Sequence, residues 1–358
     1  MSKILYAAGT YEHIRSFHLP YIEALRKDGH TVLTMASGAD ADFDIKFQKK
    51  ILSFRNILCI GKIKKILKSE KFDVIILNTT LAAFNVRAAL PKKNRPRVIN
   101  IVHGYMFTKE VKSIHDRIFC LAERVMAKKT DHILIMNGED KIITDKYKLC
   151  MGNVYMTRGM GAFVPEAKVS SDEIRADMNC RDKYVISFVG ELYKAKNQRL
   201  LICALPEIKL HIPNAVLWLI GTGAAYGELH ELAEKLSVSD SVFFTGKRRN
   251  PCDFIRASDL YISASYKEGL PFNIIEALGC EKTVIASDVK GNRDIIEDGK
   301  SGFLFPISDM DRLISLVSDV HNGTLCLDPE NMKNTYLYYS KENVFPETYS
   351  IIKELSEN

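Results

Sequence analysis

Short runs of apolar residues alternate along the chain with longer segments in which apolar residues recur every three or four positions. The short runs predict buried β-strands, and the segments between them predict amphipathic helices. The predicted strands lie at residues 3–8, 31–35, 73–77, 97–102, 131–136, 184–190, 216–220, 241–246, 259–264, 283–287 and 302–305. Repeated β-α alternation is typical of doubly wound α/β domains with parallel sheets, and this is the fold class that we expect.

A stretch rich in small and polar residues, 159–183, interrupts the alternation before it starts again at Tyr184. We therefore predict two domains, at residues 1–165 and 166–337, followed by a helical tail. The length of 358 residues suits two domains of ordinary size.

Several common classes of protein are disfavoured by composition. The chain shows no apolar stretch of the length that spans a bilayer, and its first residues lack a signal-peptide pattern. Its eight cysteines are scattered without a C-x-x-C pair, which predicts buried thiols rather than a zinc site or a disulfide framework. We therefore expect a cytoplasmic protein.

The turn after the predicted strand at 259–264 has the composition of a ligand site. It reads Lys-Glu-Gly-Leu-Pro, and Pro271 suits the first turn of the helix predicted to follow. Such a turn directs backbone N–H groups toward the carboxyl end of a parallel sheet, where phosphates are commonly bound. Glu268 and Glu276 accept hydrogen bonds and cannot donate them, so beside a phosphate they would bind hydroxyls of a sugar or ribose.

Glu268 and Glu276 have seven residues between them, and with the Gly-Leu-Pro context this resembles the E-x7-E signature of the GT4 family of retaining glycosyltransferases. The resemblance implies the GT-B fold, in which two Rossmann-like doubly wound domains face a central cleft. It also implies that a helix at about 338–358 crosses back to the first domain. The alternative is that both glutamates are ordinary surface charges.

The same resemblance implies a substrate and roles for both glutamates. The second domain would bind a nucleotide sugar, which we expect to be a UDP-sugar, and no metal ion or other cofactor would take part. Glu276 would bind the ribose hydroxyls of the donor. Glu268 would act catalytically by holding the hydroxyls of the transferred sugar.

The segment Val189-Gly-Glu-Leu-Tyr-Lys-Ala-Lys-Asn197 resembles the diphosphate loop of the family, except that Glu191 stands where many members have arginine. Lys196 is then the expected catalytic cation beside the leaving diphosphate, with Arg293 as a candidate helper. The full set of residues expected to bind the donor is Gly190, Gly221, Gly223, Gly269, Leu270, Pro271, Phe272, Asn273, Glu276 and Arg293.

The first half resembles the branch of the family that builds exopolysaccharide and capsule chains. The resemblance includes His103-Gly104 at the end of a predicted strand, and it implies a catalytic role for His103 facing the donor sugar. It also includes the run His-Ile-Arg-Ser-Phe-His-Leu-Pro near the start of the chain. The residues expected on the acceptor side are Gly9, Thr10, His13 and His18. For both of these histidines a structural or surface role is the alternative.

Two further patterns suggest chemistry that we reject. Gly221 and Gly223 open a G-x-G-x-x-x-G turn, whose spacing differs from the dinucleotide-binding G-x-G-x-x-G. Asp40, Asp42 and Asp44 alternate in one loop, whereas metal ligands usually converge from several elements. We therefore predict neither a nicotinamide site nor a metal site.

The net charge of +6 is divided unevenly between the two halves. Through Pro165 the chain has 28 Lys and Arg against 15 Asp and Glu, or +13, and the remainder is −7. The segment 56–71 has apolar residues at helical spacing with Lys62, Lys64, Lys65 and Lys68 on the other faces. This basic helix predicts contact with an anionic membrane surface, although an ordinary solvated helix is the alternative. No nucleic-acid motif is present, so no nucleic-acid partner is expected.

Together these features predict a retaining glycosyltransferase that moves a hexose or N-acetylhexosamine from a nucleotide sugar to a lipid-linked saccharide. It would serve capsule, exopolysaccharide or glycan assembly as a peripheral protein on the inner face of the plasma membrane. One alternative is an enzyme like UDP-N-acetylglucosamine 2-epimerase, which shares the two-domain fold and needs no acceptor. Another is a non-catalytic protein that binds sugar nucleotides.

Overall fold

The computed structural model describes residues 1–47 and 54–357. The chain forms two compact units, one comprising Met1–Gly161 with Glu342–Asn358 and the other comprising Ala162–Lys341. These boundaries lie four residues from the domain boundaries expected at 165 and 337.

The first unit is built on a seven-stranded sheet in which all neighbouring strands are parallel. The strand order β3-β2-β1-β4-β5-β6-β7 reverses direction at β1, as in doubly wound folds. The central strands read as continuous apolar runs because helices cover both faces of such a sheet. The strands are β1 Lys3–Thr10, β2 Thr31–Ser37, β3 Phe43–Asp44, β4 Val74–Asn78, β5 Arg97–Val102, β6 His132–Ile135 and β7 Val154–Met156.

Helices connect these strands and cover the sheet. Ile63 and Val86, on two of them, pack into the same core as Leu5 and Ile75 of the sheet. The helices are α1 Tyr11–His13, continued by a π-helical turn Ile14–His18, then α2 Leu19–Lys27, α3 Phe54–Glu70, α4 Thr80–Ala89, α5 Ile114–Ala127 and α6 Gly138–Tyr147.

The second unit has a parallel sheet of six strands in the order β10-β9-β8-β11-β12-β13. Its core contains Phe188, Leu219, Ile262 and Leu316. The strands are β8 Tyr184–Val189, β9 Ala215–Ile220, β10 Val242–Gly246, β11 Leu260–Ser263, β12 Val284–Ser287 and β13 Phe303–Phe305. The helices are α7 Ser171–Asp177, α8 Gln198–His211, α9 Tyr226–Lys235, α10 Pro251–Arg256, α11 Phe272–Gly279, α12 Asn292–Ile295, α13 Met310–His321 and α14 Pro329–Tyr339, with 3-10 turns at Lys194–Lys196 and Ser239–Ser241.

The last helix, α15 Lys341–Glu357, begins at the end of the second unit and packs on the first. Asp28 receives a hydrogen bond from the Tyr349 hydroxyl at 2.8 Å and an ion pair from the Lys353 ammonium at 2.6 Å. Arg97 donates to the carbonyl of Leu355 at 2.9 Å. These contacts hold the end of the chain on the first unit.

The prediction of two Rossmann-like doubly wound α/β domains is confirmed, and each strand predicted from an apolar run is present. The short edge strands β3 and β7 were not predicted. Helix α5 begins at Ile114, where the Ser113 side chain caps it by accepting from the Asp116 amide. The stretch 159–183, which was expected to separate the two domains, contains α7. This helix begins with a capping box formed by Ser170 and Glu173. None of the described helices is long and apolar enough to cross a membrane.

Candidate active site

In the second unit, the turn between β11 and α11 brings a glutamate and a lysine together. The Lys196 ammonium lies 2.5 Å from Oε1 of Glu268, and the Ser265 hydroxyl donates to the same oxygen at 2.6 Å. Both charged side chains are mostly buried, with 18% of the Lys196 side chain and 11% of the Glu268 side chain exposed. Because both donors reach Oε1, the second carboxylate oxygen keeps its capacity to accept from a sugar hydroxyl.

The loop after β12 supports Glu268 from the other side. The Glu268 amide donates to the Lys290 carbonyl at 3.1 Å. Gly291 follows with φ of +85°, and a Cβ there would lie 2.8 Å from the Glu268 Cβ. Only glycine meets both the space and the backbone conformation of this position without strain. Sequence reasoning had not assigned a role to Gly291 or Ser265.

Glu276 lies on α11, eight residues after Glu268, and is partly buried. Burial raises the pKa of Glu276 to about 7, so that a large fraction is protonated at neutral pH. A ligand that donates hydrogen bonds from hydroxyls would stabilise the charged form and lower this pKa. The environment of Glu276 therefore suits a ligand that donates hydrogen bonds from hydroxyls.

The other predicted residues of this turn position the helix. Leu270 and Pro271 are buried, and Pro271 occupies the N-cap of α11, which begins at Phe272 directly after it. The side-chain amide of Asn273 donates to the Val189 carbonyl at 3.1 Å and to the Tyr261 hydroxyl at 2.7 Å. Asn273 thus ties the start of α11 to the end of β8, a structural role that the sequence had not indicated. Gly269 precedes Leu270 in the turn between Glu268 and Pro271.

The predicted glycines of the β8 and β9 turns pack against protein backbone. A Cβ at Gly221 would lie 1.9 Å from the Gly190 carbonyl oxygen, and a Cβ at Gly223 would lie 2.2 Å from that of Leu192. The Gly190 and Leu192 amides donate to the carbonyls of Ile220 and Thr222, both at 3.0 Å. The two glycines therefore leave room for the neighbouring turn, and their expected role in donor binding stays a prediction.

A cavity of about 440 Å³ lies at the carboxyl ends of β8, β9 and β10, beside those turns. Gly190, Gly221 and Gly223 line it, together with Lys247 and Arg248, which follow β10. Cavities at the carboxyl ends of parallel strands are the usual ligand sites of doubly wound sheets, and two cations suit an anionic ligand. Lys247 and Arg248 were not among the residues expected from the sequence to bind the donor.

Arg293, the predicted helper of the diphosphate, is engaged elsewhere in the second unit. Its guanidinium donates to the Asp288 carboxylate at 2.8 Å and to the Asp288 carbonyl at 2.7 Å, and half of the side chain is exposed. It lines a separate cavity with Asp294 and Tyr339. Arg293 would have to leave Asp288 to reach a phosphate.

In the first unit, the predicted acceptor-side residues begin at the end of β1. The Gly9 amide donates to Thr79 Oγ1 at 2.9 Å, and the Thr10 side chain caps α1 by accepting from the His13 amide. Thr79 has φ of +65°, a conformation that a threonine adopts only under strain. Strain of this kind clusters at functional sites, so Thr79, which was not predicted, is a candidate site residue.

Three histidines that the sequence had assigned separately lie together beside this turn. The ring centroids of His13, His18 and His103 are 4.8 to 5.2 Å apart. His18 Nε2 lies 3.3 Å from His13 Nε2, and its Nδ1 lies 2.9 Å from the Tyr6 hydroxyl. His103 Nε2 is buried and, among the residues that the structure describes, has no hydrogen-bond partner. His103 also lines a cavity of about 200 Å³ with Thr79 and other residues.

Burial keeps the histidine cluster (His13, His18 and His103) uncharged. It lowers the pKa of His13 to about 4, and it lowers those of His18 and His103 well below their usual value, with further lowering by the neighbouring imidazoles. Neutral imidazoles can donate and accept hydrogen bonds toward a hydroxyl-bearing ligand. They are also common metal ligands, and one nitrogen of each lies within 4.8 Å of the others.

The aspartates of the β2–β3 loop have structural partners. Asp42 accepts from the amide and hydroxyl of Thr34 at 2.7 and 2.8 Å, and Asp44 accepts from the Gly38 amide at 3.2 Å. These contacts give both carboxylates a structural role.

The chain is similar in sequence to known glycosyltransferases. Residues 170–335 match the family model of glycosyl transferases group 1. The EpsD protein of Bacillus subtilis is 28% identical over 98% of this chain and 96% of its own length. The UDP-Gal:alpha-D-GlcNAc-diphosphoundecaprenol alpha-1,3-galactosyltransferase of Escherichia coli is 24% identical over 78% of this chain and 76% of its own length.

Solved structures share the fold over nearly the whole chain. Anabaena HepE, in complex with UDP and glucose, has a TM-score of 0.77 at 16% identity and covers 99% of this chain and 100% of its own. Sucrose-phosphate synthase from Thermosynechococcus elongatus has a TM-score of 0.78 at 17% identity, covering 99% of each chain. Two parallel-sheet units of this kind make up the GT-B fold, which the chain shares with these structures. Residues 170–335 match the group 1 glycosyltransferases.

Proposed function

We propose that the protein is a retaining glycosyltransferase that moves a hexose or N-acetylhexosamine from a UDP-sugar to a lipid-linked saccharide. The observation that carries this proposal is the mostly buried ion pair of Lys196 and Glu268, at the same end of the sheet as Glu276. The Escherichia coli relative, named for a UDP-galactose donor and a diphosphoundecaprenol acceptor, supports the substrate class. The UDP and glucose bound to Anabaena HepE support the choice of donor.

In the second unit, each charged group has a distinct role toward the donor. Lys196 stabilises the negative charge that develops on the diphosphate as the glycosidic bond breaks. Glu268 orients Lys196 through its Oε1 and holds a sugar hydroxyl with its other oxygen. Glu276 accepts from the ribose hydroxyls. The cavity beside Gly190, with Lys247 and Arg248, accommodates the remaining part of the nucleotide.

In the first unit, the turn at Gly9 and Thr10 provides the acceptor side together with His13 and His18, and His103 is the catalytic histidine. The neutral imidazoles can bind sugar hydroxyls without adding a positive charge. The attacking hydroxyl approaches the face that the diphosphate leaves, and a diphosphate oxygen takes its proton, which retains the anomeric configuration. No metal ion or cofactor is required, because Lys196 supplies the charge that a metal would otherwise bring.

We further propose that the protein works at the inner face of the plasma membrane, in capsule, exopolysaccharide or glycan assembly. Its eight cysteines are free thiols, as is usual in a reducing compartment. The exposed side chains of Lys62, Lys64, Lys65 and Lys68 on α3 attract anionic lipid headgroups.

The test is to incubate the purified chain with a panel of nucleotide sugars, each with and without an undecaprenyl-diphosphate saccharide, and to measure nucleotide release. We expect release of UDP that depends on the acceptor, and a product with the anomeric configuration of the donor. Conversion of UDP-N-acetylglucosamine without an acceptor would instead identify an epimerase. Absence of turnover with every donor and acceptor would overturn the proposal.

A further inference from the structure

Helix α5 is apolar on two opposite faces. Toward the interior, Cys120, Met126 and Ala127 are buried. On the opposite side, four aliphatic side chains are exposed: Ile114 by 76%, Ile118 by 47%, Leu121 by 61% and Val125 by 54%. Their spacing of four, three and four residues places them in one line along the helix, which we call the aliphatic stripe.

The aliphatic stripe is not needed for folding the unit. Its four side chains lie on the side of α5 away from the buried residues, so they remain in water. Single exposed aliphatic residues are common on protein surfaces, but a contiguous line of them marks a surface that contacts another apolar phase. The stripe therefore requires a partner of defined chemistry.

The charge around the aliphatic stripe identifies that partner. The exposed basic residues on and beside α5 are Lys109, Lys112, Arg117, Arg124 and Lys128. Of the acidic residues between positions 105 and 128, only Glu110 is exposed, since Asp116 is half-buried and Glu123 is buried. Aliphatic side chains flanked by cations are typical of helices that lie in the headgroup region of an anionic bilayer.

A second copy of the chain is a poor occupant of this surface. A twofold interface would place the same basic residues of two copies against each other, and like charges at an interface cost affinity. An anionic bilayer satisfies both features of the surface, because acyl chains accept the aliphatic stripe and headgroups pair with the cations.

Helix α3 has no comparable line of exposed aliphatic residues among its described side chains. Leu58 is 61% exposed, but Ile63 is buried, and Ile60, Ile66 and Leu67 pack against the core of the first unit. The lysines of α3 are therefore available for electrostatic attraction, whereas its described core-facing residues are not available for insertion. The two helices offer different kinds of contact with a membrane.

We propose that α5 is the membrane-inserting surface of this protein, with the aliphatic stripe entering the headgroup region of an anionic bilayer. The inference rests on the proposed function in one respect, since a lipid-linked acceptor would bring the enzyme to that bilayer. The predicted basic surface on α3 is a separate and purely electrostatic contribution.

The experiment compares the whole chain with the double variant Ile118→Gln/Leu121→Gln. The matched control is Ile142→Gln/Leu210→Gln, which removes one exposed isoleucine and one exposed leucine from other helices. Each protein is sedimented with vesicles of phosphatidylcholine alone and with vesicles containing phosphatidylglycerol, at low and high salt. Circular dichroism confirms that each variant is folded.

We expect the wild type and the control to bind the anionic vesicles and to keep part of that binding at high salt, because aliphatic contacts are not screened. The Ile118→Gln/Leu121→Gln variant should bind the anionic vesicles at least about tenfold more weakly than the wild type. Its residual binding should vanish at high salt. A Leu121→Trp variant should show a blue shift in fluorescence with anionic vesicles, against the constant background of the buried Trp218.

Three results would overturn the inference: equal vesicle binding by the variant and the control, no blue shift at position 121, or a wild-type dimer that the α5 variant converts to monomer. Transfer to a short-chain, water-soluble acceptor separates this inference from the proposed function. The α5 variant should keep transfer activity toward this soluble acceptor. If the wild type shows no such transfer with any donor but still inserts into vesicles, the proposed function is wrong while the assignment of α5 as a membrane-binding surface is retained.

Discussion

The Lys196 ammonium and the Glu268 carboxylate form a mostly buried ion pair, 2.5 Å apart, although the two residues come from different β-α turns. An ammonium that faces a diphosphate would be mobile if it had no support. Glu268 restricts it to one position through the ion pair. The same carboxylate then links the position of the cation to the hydroxyls of the sugar.

We predict that Lys196→Met and Glu268→Gln each lower turnover with little loss of folded protein. A charge-assisted hydrogen bond is worth about 1.5–3 kcal/mol, which corresponds to roughly a tenfold to hundredfold loss in kcat/KM. Since the two groups act as one unit, the double variant should lose much less than the product of the two single effects. Steady-state kinetics of all four proteins measures this coupling.

The control for this cycle is Lys194→Met, which removes an exposed lysine from the same 3-10 turn. It should keep wild-type kinetics. Wild-type turnover in Lys196→Met would show that the site is misassigned, and strictly multiplicative effects would show that the pair has no joint role.

We predict that Glu276→Gln stabilises the free protein at pH 8 while weakening its affinity for the nucleotide sugar. The pKa of Glu276 is raised from 4.5 to about 7 by burial, so folding loses stability as the pH rises through this interval and the carboxyl group becomes charged. The neutral glutamine avoids this cost, a gain of roughly 3 kcal/mol at most. At pH 4.5 the stability of the variant and the wild type should be nearly equal.

Donor binding should show the opposite preference. Ribose hydroxyls donate to the charged carboxylate, so affinity of the wild type should fall as the pH drops below 7, and binding should release protons. Calorimetry in buffers of different ionisation enthalpy measures this release, with Glu231→Gln, an exposed glutamate on α9, as the control. An affinity in Glu276→Gln equal to that of the wild type at pH 8 would contradict the assignment.

The fold could be predicted from sequence because it depends on local pattern. The apolar run at 74–77 predicts a strand, and the turn at Pro271 predicts the start of a helix. The structure has β4 and α11 at these places. The pairing of Lys196 with Glu268 could not be predicted in this way. It depends on the order of β8 and β11 in the sheet, which brings together residues 72 positions apart.

The same limit applies to the first unit. His13 and His103 were each expected near the ligand, but their contact depends on how α1 and the end of β5 meet. The strain at Thr79 depends on a dihedral angle that no spacing reveals. A signal was present, since Asn-Thr-Thr directly follows the apolar run of β4, at the carboxyl end of a central strand.

We predict that activity survives removal of divalent ions. In the proposed donor site the positive charge comes from Lys196, Lys247 and Arg248, so EDTA should leave kcat and KM unchanged. The measurement is UDP release from dialysed enzyme with and without EDTA. If EDTA abolishes activity, zinc restores it in the wild type, and zinc fails to restore it in His18→Gln, the histidine cluster would instead be identified as a metal site.

The last prediction concerns the lysines of α3. Replacing Lys62, Lys64, Lys65 and Lys68 with glutamine should weaken binding to anionic vesicles at low salt, because each basic residue near such a surface contributes about 1 kcal/mol. The effect should disappear at high salt, where exposed charges are screened. Stability should change little, since the four side chains are exposed and Ile63, which holds the helix on the core, is retained.

A control of equal charge separates this surface from a general effect of net charge. It replaces four exposed lysines of the second unit with glutamine, namely Lys168, Lys183, Lys235 and Lys333. If both quadruple variants lose vesicle binding equally, attraction depends only on net charge and α3 has no special role. If only the α3 variant loses it, the surface is assigned to the first unit. If the wild type does not bind anionic vesicles at low salt, a soluble acceptor replaces the lipid-linked one in the proposed function.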